Sequence, residues 1–92
     1  MSDPFDEFQR QELRRELVDL IHASNPELDG LLTEETSLIR SGKLDSLGLF
    51  NLATFIERKI GKQVDFTSFD LSREWDSISN ILEFMSKLRA GH

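Results

Sequence analysis

The sequence predicts a small all-α fold, a four-helix bundle of three major helices and one short helix. Apolar residues recur at three- and four-residue spacing in three separate stretches, and residues that start or stop helices bracket them. Length sets a bound. Ninety-two residues with 38% apolar content are expected to form a single domain over 1–92 with one modest core, since a chain this short buries only roughly two thirds of the surface that unfolding exposes. Such a chain has little room for a deep catalytic cleft.

The first helix is expected to start at Asp3-Pro4, with Asp3 as cap and Pro4 at the first helical position, where a missing N–H costs nothing. It should run to about Ala23. Leu13, Leu17, Leu20 and Ile21 form its apolar stripe, Phe5 and Phe8 extend that stripe at the beginning, and Arg10, Glu12, Arg14, Arg15, Glu16 and Asp19 cover the remaining surface. Ser24-Asn25-Pro26 ends it, and residues 24–44 then mix turn residues with Leu28, Leu31, Leu32, Leu38, Ile39 and Leu44 in no sustained period. A loop this long is unusual in a compact domain. Its apolar content implies that it packs against the bundle, with a short helical turn over Leu28–Leu32.

The second major helix is expected over Ser46–Ile60, where Leu49, Leu52, Ala53, Ile56 and Ile60 fall at helical spacing. Asp45 is placed to cap it and Gly61 to end it. Leu47, Phe50 and Phe55 widen its apolar face, as suits a helix touched by more than one neighbour. Val64–Trp75 carries Phe66, Phe69 and Trp75 among Asp, Thr and Ser, and holds either the short helix or an ordered crossing. Asp76 or Ser77 opens the last helix through Ile78, Ile81, Leu82, Met85 and Leu88, which ends before Gly91 with Lys87 and Arg89 at the negative end of its dipole.

Composition removes several functions. Seventeen acidic against eleven basic residues give a formal charge of −6, which disfavours a polyanionic nucleic-acid partner and suits basic protein partners. Without cysteine there is no disulfide framework, thiolate metal site or cysteine nucleophile, and any thiol chemistry has to be imported. No apolar run has the length of a membrane span, and Met1-Ser2-Asp3-Pro4 lacks the basic start of a secretory signal. A cytoplasmic location without membrane insertion is expected.

Chemistry concentrates at Gly42-Lys43-Leu44-Asp45-Ser46-Leu47. A serine hydroxyl at a helix N-terminus faces unpaired backbone N–H groups and the positive dipole end, so a phosphodiester on it would be electrostatically at home. Two uses are open for Ser46: an ordinary first-turn residue beside its cap, or a point of attachment. Serine-triad hydrolysis is a poor fit, because the histidines are His22, late in the first helix, and His92, the final residue, and neither is arranged as a base. Glu34-Glu35 reads as a solvated patch, and with Asp29, Asp45, Asp65 and Asp70 it matches no calcium-loop spacing. Gly42 and Gly48 belong to no phosphate-cradling motif. Arg58, Lys59 and Lys62 complement the dipole at the end of the serine-bearing helix. Trp75, Phe66, Phe69 and Phe84 read as core, or as a lining that opens for an apolar cargo.

Taken together, Leu38-Ile39-Arg40-Ser41-Gly42-Lys43-Leu44-Asp45-Ser46-Leu47 and Phe66-Thr67-Ser68-Phe69-Asp70-Leu71-Ser72-Arg73-Glu74-Trp75-Asp76-Ser77-Ile78 resemble the acyl carrier and peptidyl carrier protein family. The resemblance spans nearly the whole chain, and an Asp-Ser-Leu signature opening the second major helix is its centre. It implies that Ser46 receives phosphopantetheine from coenzyme A through a separate phosphopantetheinyl transferase using magnesium, with Asp45 near the transferase's metal and Leu47 as a contact at the modification surface. It also implies a non-catalytic, monomeric carrier of an acyl or aminoacyl thioester in a biosynthetic pathway. Partners would be a loading ligase and synthase or acyltransferase enzymes. Phe50, Leu71, Trp75 and Ile78 become candidate lining residues for a folded-back cargo.

One departure narrows this. Fatty-acid carriers of this kind show several acids along the serine-bearing helix, whereas this helix has none before Glu57, with Gly48 and Asn51 where charge is expected. A specialised pathway is therefore expected rather than primary fatty-acid synthesis. The alternative is an unmodified helical interaction module using the Leu49-Phe50 surface or the acidic first helix.

Overall fold

The computed structural model describes residues 7–25 and 32–91, and within them the fold is all-α, with α1 over Glu7–Ser24, α2 over Ser46–Ile60, the single-turn α3 over Leu71–Glu74 and α4 over Ile78–Gly91. The three long helices and one short one match the expected architecture. The expected start at Asp3-Pro4, the packing of Phe5, the turn from Leu28, Asp29 and His92 lie outside the described residues, as does the side chain of Arg89. Among the described residues no helix is long and apolar enough to cross a membrane.

Each long helix buries one stripe. Leu13, Leu17 and Ile21 of α1, separated by four residues, meet Leu52, Phe55 and Ile56 of α2 and Ile78, Ile81, Leu82 and Met85 of α4 in one core, with α2 in contact with both α1 and α4. Fully burying an aliphatic side chain of this size stabilises by about 1.5–3 kcal/mol, so these stripes decide how the helices face each other. Lys59 pairs with Glu16 at 2.8 Å, while Asn51 reaches Ser24 near the other end of α1, so α1 and α2 run antiparallel.

Three expectations about apolar residues are corrected. Phe8, Leu47 and Phe50 are 71%, 65% and 67% exposed. At 100° per residue Phe8 stands about 140° from Leu13, and Phe50 stands about 160° from Leu52, so each lies off its helix's buried stripe. Leu47, five residues before Leu52, is displaced about 140° for the same reason.

The segment between α1 and α2 is packed, as its leucines imply. Leu38 is fully buried and Leu44 nearly so. Asp76 holds the segment: its carboxylate accepts from the Ser37 hydroxyl at 2.9 Å and from the backbone N–H groups of Ile39 and Arg40 at 3.0 and 2.9 Å, while its carbonyl accepts from the Leu38 N–H. Glu34 adds a further tie by accepting the Ser79 N–H at 3.0 Å. A closing bond from the Leu44 N–H to the Leu38 carbonyl, 3.0 Å, folds residues 38–44 into a compact turn. Gly42 sits in it at φ 76°, a left-handed conformation that favours glycine.

Asp76 therefore caps the loop and not α4. Ser77 caps α4 instead, its hydroxyl oxygen accepting the Asn80 N–H at 3.1 Å. The helix itself extends to Gly91, slightly past the expected end. Lys62 was expected to serve the end of α2, yet its ammonium donates to the Leu88 carbonyl of α4 at 3.3 Å. Gly61 terminates α2 at φ 79° as expected, its N–H bonding the Glu57 carbonyl.

Partial burial pushes the Asp76 carboxyl upward, but the Arg40 N–H, the Ser37 hydroxyl, the Ile39 N–H and the Arg40 charge together hold it below the ordinary carboxylate range. A carboxyl with a depressed folded-state pKa contributes stability that is present above its unfolded pKa and lost as pH falls through the folded one. Asp76→Ala is expected to cost about 2 kcal/mol at neutral pH, the scale of hydrogen bonds to a charged acceptor. Urea midpoints measured from pH 7 down into the acid range should converge for the two proteins as the native carboxyl protonates.

Candidate functional site

Ser46 is the first residue of α2 and is exposed. Its position follows from the loop below it, because the 38–44 turn delivers Leu44 into the core and Asp45 to the cap. Asp45 has extended backbone geometry and its carboxylate accepts the Gly48 N–H at 2.8 Å, the first-turn bond of an N-cap. Helix geometry leaves the Ser46 and Leu47 amides without intrahelical acceptors. The serine hydroxyl thus stands at the positive end of the α2 dipole.

Gly48 leaves little space for a larger residue at its position on α2. It is buried, and a Cβ there would lie 2.9 Å from Leu44 Cδ1 and 3.2 Å from the Asp45 carboxylate. A glutamate would have to displace the residue that seats the loop and would set a second negative charge beside the cap. Asn51, the other uncharged station, faces α1, with its side chain 3.5 Å from the Ser24 hydroxyl.

A groove of about 540 Å³ begins at Ser46 and follows α2 along Leu49, Phe50, Ala53, Thr54 and Glu57, with Phe66 and Leu71 across from it. Of the expected lining residues, Phe50 and Leu71 border this groove, whereas Trp75 and Ile78 are fully buried core. The groove is predominantly apolar, and Glu57, its one acid, accepts the Val64 N–H at 2.9 Å and so holds the chain as it leaves α2.

Behind the groove lies an aromatic cluster. The Trp75 ring is 5.6 Å from Phe66, 5.5 Å from Phe69 and 5.5 Å from Phe84 between centroids, and Phe69 is 4.7 Å from Phe84. Phe66, read from sequence as core or as a lining, is 47% exposed and belongs to both groove and cluster. Trp75 is completely buried, and its Nε1 finds no hydrogen-bond partner among the described residues. An unmet buried donor costs roughly 1–3 kcal/mol. Sequence patterning identifies the aromatics but carries no sign of this orphaned N–H, which arises only when three phenyl rings surround the indole.

The other candidates disperse. His22 is half-buried near the end of α1, and its Nε2 is buried without a partner among the described residues. Glu34 is half-buried and pairs with Arg14 at 3.6 Å, so it is not merely a solvated patch. Asp65 bonds Thr67, whose hydroxyl and N–H hold the carboxyl below its ordinary range, and Asp70 caps α3 through the Ser72 N–H. No cluster of three metal-binding side chains occurs among the described residues. Arg58 and Lys59 lie in the last turn of α2, and the Lys59 ammonium also sits 5.6 Å from the Phe55 ring.

Two substitutions probe this local construction. Asp45→Ala is expected to lower stability by about 1 kcal/mol through loss of the cap. Gly48→Glu is expected to cost about 1–3 kcal/mol through overpacking against Leu44. Both are read as changes in urea midpoint.

No protein-family model matches the chain, and a search of curated proteins finds no match.

Proposed function

We propose that this chain is a carrier, modified on Ser46 by phosphopantetheine, that holds an acyl or aminoacyl group as a thioester and presents it to partner enzymes. The observation that supports this most is an exposed serine at a capped helix N-terminus, opening onto an apolar groove. A phosphodiester at Ser46 would meet the α2 dipole and the first-turn amides. The donor set fits the group: a hydroxyl to esterify, amides to face the phosphate, and apolar surface beside it.

In the attachment step the Ser46 oxygen attacks the pantetheine-side phosphorus of coenzyme A. An O–P bond forms, the pyrophosphate P–O bond breaks, and adenosine 3′,5′-bisphosphate leaves. The serine proton passes to a base on the transferase, whose magnesium would sit near Asp45. The bound group supplies the thiol that the cysteine-free chain lacks. The chain's own residues position and shelter: Asp45 and the 38–44 turn set the serine's place, and α2 offers the contact face. Loading ligase, synthase and acyltransferase partners supply the chemistry, and the tether raises cargo concentration at their sites.

The partner face has an unusual character for such a role. Leu47 and Phe50 are exposed beside Ser46 in the first turns of α2, and α2 carries no acid before Glu57. Recognition through this face would be driven by apolar burial and would depend little on salt. That suits a specialised pathway. The same exposed pair supports the second reading, an unmodified helical interaction module.

Intact mass after incubation with coenzyme A, magnesium and a broad-specificity phosphopantetheinyl transferase is expected to rise by one phosphopantetheine, mapped to Ser46. Ser46→Ala should keep its helical circular dichroism and gain nothing. A folded, unmodified wild-type chain that gains no mass would favour the interaction module. For the modified chain, Leu47→Ala with Phe50→Ala is expected to weaken partner turnover about tenfold or more, the scale of losing buried apolar anchors, with little change between low and high salt.

A further inference from the structure

We infer that the cargo carried from Ser46 bears a hydrogen-bond acceptor oxygen beyond its thioester, and that Phe66 swings aside to let that oxygen reach the indole N–H of Trp75. The inference rests on the carrier reading of Ser46 and names the class of group carried. Three observations join to make it. The groove that begins at Ser46 has Phe66 and Leu71 across from α2. Phe66, on the groove wall opposite α2, packs edge-on against Trp75 at 5.6 Å and 77°. Trp75 itself is wholly buried with its Nε1 donor unmatched among the described residues.

A donor held in an apolar surround discriminates strongly between a guest that can accept and one that cannot. The rings of Phe66, Phe69 and Phe84 offer at most weak π acceptors. An oxo or hydroxyl oxygen on an otherwise apolar acyl chain would complete the site, whereas a plain hydrocarbon would leave the donor as unmatched as before. Phe66 is the natural gate. It is half exposed, lies in the connection between α2 and α3 and not within a helix, and contacts the cluster from the groove side. Phe69 and Phe84, by contrast, pack ring on ring at 4.7 Å within the core layer.

Trp75 is the chain's single tryptophan, so the indole reports without ambiguity. The full chain would be loaded from three coenzyme A derivatives: unacylated, a saturated medium-length acyl, and the 3-oxoacyl of equal length. Mass confirms loading in each case. The indole N–H proton resonance is expected to move downfield with the 3-oxoacyl form and to stay put with the other two. Loaded protein whose indole resonance is unchanged in all three forms, or shifts equally with saturated and 3-oxo cargo, overturns the inference while leaving Ser46 modification intact. Failure of loading on the folded chain would instead remove the carrier reading and this inference with it. Phe66→Ala, with helical circular dichroism retained, is expected to raise acrylamide quenching of Trp75, and unchanged quenching would overturn the gate.

Discussion

The structure depends on the grip of Asp76 on the loop that precedes α2. One residue offers a carboxylate to Ser37, Ile39 and Arg40 and a carbonyl to Leu38. Thirty-six to thirty-nine residues separate these partners in sequence, so closing them is entropically costly and must be offset by what closure allows. It allows Leu38 to be fully buried and the Leu38–Leu44 turn to form. Everything about the placement of Ser46 follows from that turn: Leu44 goes inward, Asp45 caps, and the serine hydroxyl points away from the core.

Order and exposure are thereby combined at one point. The fully buried Leu17, Ile21, Leu52, Ile56, Ile81 and Met85 hold the long helices, while the start of α2 stays open to approach. An unmet polar group lies elsewhere in the core, at Trp75. Surrounding an indole with phenyl rings gains dispersion and edge-to-face contacts but strands its N–H. The volume of the indole fills the core, but packing alone gives no partner to its donor.

Two uncharged residues of α2, Gly48 and Asn51, have structural roles. Gly48 leaves space for Leu44 and for the cap of Asp45, and Asn51 lies between α2 and α1. The surface of α2 beside Ser46 is consequently apolar, with Leu47 and Phe50 exposed and Leu49 half-buried. From Ser46 to Ile56 α2 itself contributes none of the net charge of −6, so the charge of the whole chain is a poor guide to the character of this helix.

Helix number, the α2 boundaries, the caps at Asp45 and Gly61 and the position of Ser46 at the start of α2 were legible in the sequence, because periodicity and capping act over a few residues and leave a local record. The exposure of Phe8 and Phe50 was legible in principle too, since their angular distance from Leu13 and Leu52 follows from helix pitch. Other features required the tertiary fold. Asp76 resembles a helix cap in sequence, and only the return of the 37–40 segment shows that its carboxylate serves the loop. Lys62 reaches α4, Phe66 stands between groove and core, and Trp75 loses its polar partner, all through contacts between segments distant in sequence. Such contacts are set by which faces are buried together, a property of the assembled helices that no short window of residues records.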